Sequence, residues 1–93
     1  MNINEALYFS SDLENCDKQM NWDKIVKLIE EYWDSDYGLF KINNNILELI
    51  TGGWSENEAI IEVLSRTMFW FFFWQESKRG GYYKFDLSNA KIE

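Results

Sequence analysis

The sequence predicts a single α+β domain over residues 1–93, in which two helices cover one face of a four-stranded, mainly antiparallel sheet. Two segments, 22–34 and 56–66, carry apolar side chains at helical spacing. Four short runs rich in β-branched and aromatic residues pair around turn residues, which are Asn43–Asn45 in the first pair and Gly80–Gly81 in the second. The resulting order is helix, strand, strand, helix, strand, strand, which is typical of α+β domains.

The first third is predicted to hold one helix behind a poorly defined segment. Within residues 1–19, positions 6–9 fit either a short helix or an edge strand, and positions 10–17 fit a loop. Asn21 is a suitable N-cap for a helix over 22–34. The apolar face of this helix comprises Trp22, Ile25, Val26, Ile29, Tyr32 and Trp33, and charged residues occupy the opposite face.

The central third is predicted to be a hairpin followed by a capped helix. Residues 39–42 and 46–51 form the two strands, and the second strand leaves through Gly52–Gly53. Ser55 and Glu58 have the spacing of a capping box for the helix over 56–66, with Trp54 placed for a hydrophobic staple on Ala59. A phosphate site at this helix start is disfavoured, because two glutamates already occupy its first turn.

The run Met68–Trp74, MFWFFFW in letters, is predicted to be a strand buried on both faces. Residues 82–87 form its hairpin partner, after a turn at Gly80–Gly81. Two helices can shield only one face of the sheet, so the other aromatic face is covered either by the N-terminal segment or by another chain. We favour an interface, such as a homodimer, with Trp70 and Trp74 on the same side of the strand.

The charge balance is acidic and uneven. The net charge is −7 and the pI is about 4.5, which argues against nonspecific binding to nucleic acid or to anionic membranes. Residues 1–36 contain nine acidic residues and three lysines, a net charge of −6, whereas residues 37–93 contain seven acidic and six basic residues, a net charge of −1. The expected partner is therefore a protein with a basic surface.

Eight residues are candidates for partner binding. Four are acids of the first helix and its end, three are tryptophans, and one is the arginine of an Arg-Gly-Gly triplet that otherwise reads as a hairpin turn. They are Asp23, Glu30, Glu31, Asp34, Trp54, Trp70, Trp74 and Arg79. For Trp54 the structural role as a staple is favoured over a role as a binding anchor.

No catalytic, cofactor or metal site is predicted. The chain has no histidine and a single cysteine, which excludes His-dependent acid–base catalysis and the usual zinc sites. It also lacks an EF-hand calcium loop. A lone Cys16 cannot form an internal disulfide, and there is no secretory signal, so a cytoplasmic location is expected. We therefore expect a binding protein that is not an enzyme.

The chain resembles a group of small uncharacterised phage and prophage proteins in four segments, which are T-G-G-W-S-x-N-E, F-W, W and R-G-G-Y-Y-x-F. The matching residues are Thr51–Glu58, Phe69, Trp70, Trp74 and Arg79–Phe85, which lie within a stretch of about 35 of the 93 residues. This resemblance implies only an origin in a mobile element.

Small acidic phage proteins often occupy a regulatory or nucleic-acid-binding surface of a host protein. The leading expectation is accordingly a stoichiometric inhibitor or modulator of a host protein, such as a defence nuclease, of anti-CRISPR or anti-restriction type. The alternatives are an immunity protein that neutralises a basic toxin and a phage structural or assembly component.

Overall fold

A computed structural model describes residues 3–90, so Met1, Asn2 and residues 91–93 lie outside the described chain. Its elements are α1 (Ile3–Lys18), α2 (Trp22–Tyr32), β1 (Leu39–Asn43), β2 (Ile46–Ile50), α3 (Ser55–Leu64), α4 (Met68–Phe73), β3 (Trp74–Lys78) and β4 (Tyr82–Asp86). The strands form one antiparallel sheet in the order β1-β2-β4-β3. The predicted α+β class with a four-stranded antiparallel sheet is confirmed, with two helices in addition to the predicted pair.

The first of the additional helices is α1. The sequence interpretation of a short element and a loop was wrong, because residues 3–18 form one continuous helix. Phe9, Leu13 and Cys16 are spaced by four and three residues, and all three are buried in the core. This narrow stripe is sufficient to stabilise α1 because α1 packs on α2, and the apolar side chains of both helices are buried in the same core.

The helix α2 forms close to the predicted bounds. The side chain of Asn21 accepts a hydrogen bond from the backbone N–H of Lys24 at 3.3 Å, as expected of an N-cap. Ile25, Val26 and Ile29 are buried on the inner side. The helix ends at Tyr32 because Trp33 adopts an extended conformation, with ψ of 131°.

The first hairpin also matches the prediction to within one residue at each strand. Asn44 and Asn45 have φ of 52° and 65°, the left-handed conformation that asparagine tolerates in tight turns. On β2 the side chains of Leu47 and Leu49 are fully buried, whereas Glu48 between them is only half-buried. The sheet therefore has one core face, on which the helices pack.

The start of α3 differs from the predicted capping box. Trp54 is the N-cap residue and makes no capping hydrogen bond through its side chain, while Ser55 is already the first helical residue. Trp54 stacks its ring on Tyr37 at 4.2 Å between centroids. The first turn is instead fixed by buried Asn57, which accepts from the backbone N–H of Asp34 at 2.8 Å and donates to the carbonyl oxygens of Asp34 and Thr51.

The largest correction concerns Met68–Trp74. Residues 68–73 form the short helix α4 rather than a doubly buried strand, and β3 begins only at Trp74. Two groups complete the N-terminal turn of α4. The carboxylate of Asp17 accepts from the backbone N–H groups of Met68 and Phe69 at 2.9 and 3.0 Å, and Thr67 Oγ1 accepts from that of Trp70 at 3.1 Å.

The sheet consequently lacks the second aromatic face that the sequence interpretation required. Its outer face carries a row of paired positions of alternating charge, namely Lys41, Glu48, Lys84 and Glu76. The argument for a dimer from an uncovered aromatic sheet face is therefore wrong, and the dimer itself stays a prediction. Among the described residues, the most exposed large apolar side chain is Phe71 of α4, and Leu39, Ile42 and Trp74 on the strands are exposed to a lesser extent.

Candidate functional site

The exposed aromatic surface of the chain is centred on α4. Phe69 and Phe73, one turn apart, are buried against the sheet and α2. Phe71 points away from them and is 82% exposed, and Phe72 beside it is 53% exposed. Met68, one turn before Phe72, and Met20, which lines the same groove as Phe72, are also exposed. We call Met20, Met68, Phe71 and Phe72 the α4 patch.

The α4 patch is held on a fixed support. The two hydrogen bonds to Asp17 join α4 to the end of α1, across 51 and 52 residues of sequence. Phe69 packs on Phe85 of β4, with ring centroids 5.5 Å apart. Phe73 meets Trp22 of α2 edge to face at 5.3 Å. Three different elements therefore fix the helix that presents the exposed rings.

A groove of about 380 Å³ borders the α4 patch on the side of α2. It is lined by Met20, Trp22, Phe72, Phe73, Asp86 and Asn89. Trp22 contacts Phe72 edge to face, with ring centroids 6.0 Å apart. In the antiparallel register Trp74 lies opposite Phe85, which brings the end of α4 beside Asp86 at the end of β4. Asp86 alternates with buried Phe85 and Leu87 along β4, so its side chain lies on the outer face of the sheet, the face of Lys84.

Hydrogen bonds from Ser88 keep Asp86 ionised. The backbone N–H and the hydroxyl of Ser88 donate to Oδ1 of Asp86 at 3.0 and 2.6 Å. These bonds stabilise the carboxylate and hold the pKa of Asp86 below its usual range, with a smaller contribution from nearby Lys84.

Trp70 and Trp74, two of the candidate residues, are not on one strand as predicted. Trp70 belongs to α4 and Trp74 to β3, yet their rings stack nearly parallel with centroids 6.4 Å apart. Trp70 is half-buried on Tyr83 and Phe85. Trp74 is 44% exposed, and its indole N–H donates to Ser77 Oγ at 2.7 Å. Only Trp74 offers much surface to a partner.

The four candidate acids do not form one cluster. Asp23 pairs with Lys27 at 3.0 Å. Glu31 lies eight residues further, about 12 Å along the helix axis, in a groove between α1 and α2 that also contains Asp12. Glu30 is exposed on α2, and Asp34 Oδ1 accepts from the backbone N–H of Asp36 in the loop beyond.

The region around Tyr32 shows where negative charge accumulates. Partial desolvation and the charges of Glu31, Asp12 and Glu5 all raise the pKa of Tyr32. The charges of Glu31, Asp12 and Glu5 therefore act together around Tyr32. Of the candidates, Glu31 contributes directly.

Trp54 and Arg79 lie at the other end of the sheet from the α4 patch. The backbone N–H of Thr51 donates to the carbonyl oxygen of Gly81, which joins the loop of Trp54 to the turn of Arg79. Arg79 is exposed, and Trp54 is half-buried in its stack with Tyr37. Strand β4 separates this end from the α4 patch by about 13 Å. A single small ligand cannot contact both.

Phe71, Phe72 and Met20 were absent from the sequence-derived candidates. The available signal was the helical spacing of Phe69 and Phe73, which leaves Phe71 pointing outward if the run is read as a helix. The residue that stabilises this helix, Asp17, gives no local sign of its role.

Within residues 3–90, no group of three or more His, Cys, Asp or Glu side chains is arranged to hold a metal ion. Over the same part of the chain, no helix combines the length and the apolar character that crossing a membrane requires.

Comparisons of the chain with protein families, with curated proteins and with solved structures gave no match. The resemblance to small phage proteins accordingly stays a prediction.

Proposed function

We propose that the chain is a non-enzymatic binding protein that docks on another protein through the α4 patch. The observation that carries this proposal is the exposure of Phe71 and Phe72, 82% and 53%, on a helix fixed by three other elements. Rings presented rigidly lose little conformational entropy when a partner covers them. Clustered exposed apolar side chains are typical of protein-binding surfaces.

The charge of the chain supports a partner with a basic surface. The net charge of −7 disfavours close approach of two copies and favours a positively charged protein. Asp23, which follows Trp22 in the sequence, adds negative charge at the start of α2. The occupant we propose is therefore an apolar surface of another protein that is surrounded by lysine or arginine side chains.

We further propose that the partner is a host protein, such as a defence nuclease, and that binding in the host cytoplasm inhibits it. The resemblance to small phage proteins supports this identification, as does the fit of an acidic chain to a surface that otherwise binds nucleic acid. The immunity-protein and virion-component alternatives stay predictions from the sequence.

Affinity capture with matched variants tests the docking surface. The tagged wild type, a Phe71→Ser/Phe72→Ser variant and a Leu7→Ser/Tyr8→Ser control are incubated with host lysate, and retained proteins are identified by mass. Leu7 and Tyr8 are an exposed apolar pair on α1, so the control removes comparable apolar surface elsewhere. We expect a basic protein retained by the wild type and the control and lost from the Phe71/Phe72 variant.

Thermal unfolding of all three proteins verifies that each is folded, because substitutions at exposed positions usually change stability by only about 0.5 kcal/mol. Equal retention by the Phe71/Phe72 variant would rule out the α4 patch as the docking surface. Light scattering would show whether a second copy of the chain, and not a different protein, covers the α4 patch. A wild-type mass near 22 kDa, twice the 11.2 kDa chain, that returns to 11.2 kDa in the variant would assign the patch to a second copy.

A further inference from the structure

Strand β1 is one of the two edges of the sheet, and its outer side is open. In the order β1-β2-β4-β3 it pairs with β2 alone. Four of its five residues are exposed, and Phe40 is half-buried. The other edge, β3, has a register shift between Trp74 and Glu76, an irregularity that hinders pairing with a further strand. The edge that can extend the ladder is therefore β1.

The backbone groups on the open side of β1 belong to Phe40 and Ile42. The N–H of Thr51, directly after β2, donates to the carbonyl oxygen of Gly81, directly before β4, at 3.0 Å. Because backbone groups alternate in direction along a strand, the odd-numbered residues of β2 bond β4 and the even-numbered ones bond β1. In the antiparallel register the partners of those even-numbered residues are the odd-numbered residues of β1. Phe40 and Ile42 consequently direct their N–H and carbonyl groups away from the sheet.

A positive charge without a carboxylate partner lies at the same edge. Lys41 stands between Phe40 and Ile42, which pair with buried residues of β2, so its side chain is on the outer face of the sheet. Its register partner is Glu48, but the Glu48 carboxylate accepts from the hydroxyl of Tyr82 on β4, on the side away from β1. Among the described residues, Lys41 forms no ion pair.

The two faces of the sheet specify what an added strand should carry. Side chains directly opposite each other in an antiparallel pair lie on the same face. An acidic residue opposite Lys41 would extend the row of alternating charge on the outer face, which continues through Glu48, Lys84 and Glu76. The residues on either side of it would lie on the core face, where Ile42 is 40% exposed. Apolar side chains at those two positions would cover Ile42.

A second copy of the chain fits this edge poorly. Two β1 strands paired antiparallel over their full length would place Lys41 opposite Lys41, and like charges directly opposite each other are unfavourable. Strand β3 of a second copy would offer Glu76 to Lys41, but the flanking residues, Gln75 and Ser77, are polar. The charge and the apolar surface of the edge therefore favour a different protein.

We infer that the β1 edge binds an extended segment of another protein in which an acidic residue lies between two apolar residues. The segment adds a fifth strand antiparallel to β1, its backbone bonds Phe40 and Ile42, and its carboxylate pairs with Lys41. This site goes beyond the proposed docking through the α4 patch and does not depend on it. The strand that continues α4 is β3, at the opposite edge of the sheet, about 14 Å from β1.

Nuclear magnetic resonance titration of the isotope-labelled protein with short peptides tests the edge. The probe is the acetylated and amidated peptide Thr-Val-Glu-Val-Thr, and its matched control has lysine in place of glutamate. We expect the probe to give saturable shifts of the Phe40 and Ile42 amide signals in the millimolar range, and to slow hydrogen exchange of these two amides. The lysine peptide should bind about threefold or more weakly, because a like-charge pair replaces an opposite-charge pair.

Methylation of the peptide backbone tests whether the segment pairs as a strand. Methyl groups on both valine nitrogens remove the donors to Phe40 and Ile42, so saturable binding should be lost. A methyl group on the glutamate nitrogen, which points away from β1 in this pairing, should weaken binding far less.

Two variants with the same change of charge test the role of Lys41. Lys41→Glu and Lys24→Glu each change the net charge by −2, from −7 to −9. Lys41→Glu should reverse the preference, so that the lysine peptide binds more tightly than the glutamate peptide. Lys24 is exposed on α2, which packs on the core face of the sheet, so Lys24→Glu should keep the wild-type preference. The amide spectrum of each variant without peptide verifies that the sheet is intact.

Three results would overturn the inference. They are equal binding of the glutamate and lysine peptides to the wild type, saturable binding of the peptide with methylated valines, and an unaltered preference in Lys41→Glu. Light scattering covers the remaining occupant. A mass near 22 kDa, twice the 11.2 kDa chain, with the Phe40 and Ile42 amides already protected from exchange, would assign the edge to a second copy.

Discussion

In the loop between β2 and α3, Gly52 and Gly53 differ in how closely another part of the backbone approaches them. Gly52 and Gly53 both have positive φ, 65° and 74°, so both adopt a conformation that other residues rarely take. They differ in their surroundings. A Cβ on Gly52 would collide with the backbone carbonyl of Tyr37, whereas a Cβ on Gly53 would meet nothing within 4 Å.

This difference gives a matched pair of variants. Gly53→Ala should cost about 1 kcal/mol of unfolding free energy, the usual cost of a left-handed conformation for a residue with a Cβ. Gly52→Ala should cost clearly more, because the loop must also move away from Tyr37 and disturb its stack on Trp54. Urea unfolding measures both. Equal losses of unfolding free energy for the two variants would show that the loop of Gly52 does not contact the loop of Tyr37.

Tyr82 makes stability depend on pH in the alkaline range. Its hydroxyl donates to Glu48 Oε2 at 2.5 Å, and this bond, with desolvation and the carboxylate charge, raises the pKa of Tyr82 from 10.0 to about 12. Since the folded-state pKa is above the unfolded value, the stabilisation is complete below pH 10. It is lost as the pH rises from 10 to about 12.

The Tyr82→Phe variant should therefore lose less stability than the wild type across that interval, as measured by melting temperature at successive pH values. Glu48→Gln keeps an acceptor and removes the charge, so it should lower the pKa of Tyr82, seen as tyrosinate absorbance that appears at lower pH. Parallel melting curves for the wild type and Tyr82→Phe would contradict the hydrogen bond to Glu48.

Among the elements, α4 is decisive because it carries the exposed rings of the proposed docking surface. In a helix Phe69 faces the core and Phe71 faces solvent, as their exposures of 0% and 82% show. In a strand the two would point to the same face. A helix and a strand over Met68–Trp74 therefore predict different losses of stability when Phe69 and Phe71 are each replaced.

Phe69→Ala should destabilise the protein by about 3–5 kcal/mol, the usual cost of removing a buried phenylalanine. Phe71→Ala should change stability by only about 0.5 kcal/mol. Denaturant unfolding of the two variants checks this. Similar large losses from both would favour the strand over the helix.

The elements also show what the sequence could predict. Helix α2, the first hairpin and the turn and last strand of the second hairpin follow from local features, namely the Asn21 cap, the apolar stripe and the positive-φ turn residues at Asn44–Asn45 and Gly80–Gly81. The first strand of the second hairpin was wrongly placed at residues 68–74. For α4, aromatic β-propensity was outweighed by tertiary context. Thr67 is a local N-cap of α4, but the N–H groups of Met68 and Phe69 are capped by Asp17, more than 50 residues away, and no local pattern contains that contact.

The candidate site was predictable to a lesser extent than the fold. An aromatic interface within residues 68–74 was anticipated on the side of Trp70 and Trp74. In a strand Phe71 lies on the opposite side, and Phe72, on the side of the tryptophans, was not among the candidates. The acids of α2 were found from composition. The Asp23–Lys27 ion pair lies within α2, whereas the place of Glu31 in the groove between α1 and α2 depends on the packing of α1, which the sequence did not reveal.

At the scale of the whole molecule, negative charge is predicted to accelerate partner association. Glu30→Lys/Glu31→Lys and Glu58→Lys/Glu62→Lys each replace two acids, so both change the net charge by +4, from −7 to −3. The α2 pair lies next to Tyr32, where the charges of Glu31, Asp12 and Glu5 act together. Its reversal should slow association more than reversal of the α3 pair.

Stopped-flow association with the captured partner at two salt concentrations measures the effect. The wild-type rate should fall as salt rises, because exposed charges are screened over about 8 Å at physiological ionic strength. Identical rates for the two reversed variants would show that the location of the charge is irrelevant, and a rate independent of salt would exclude steering altogether.

The central claim is that the exposed rings of α4 form the docking surface. The most direct measurement is calorimetric titration of the captured partner with the wild type, Phe71→Ser/Phe72→Ser and Leu7→Ser/Tyr8→Ser at several temperatures. Burial of one phenylalanine contributes about 1.5–3 kcal/mol, so the Phe71/Phe72 variant should bind at least about tenfold more weakly. Its heat-capacity change should also be less negative, with the Leu7/Tyr8 variant like the wild type. Equal affinity and equal heat-capacity change for all three proteins would contradict the claim.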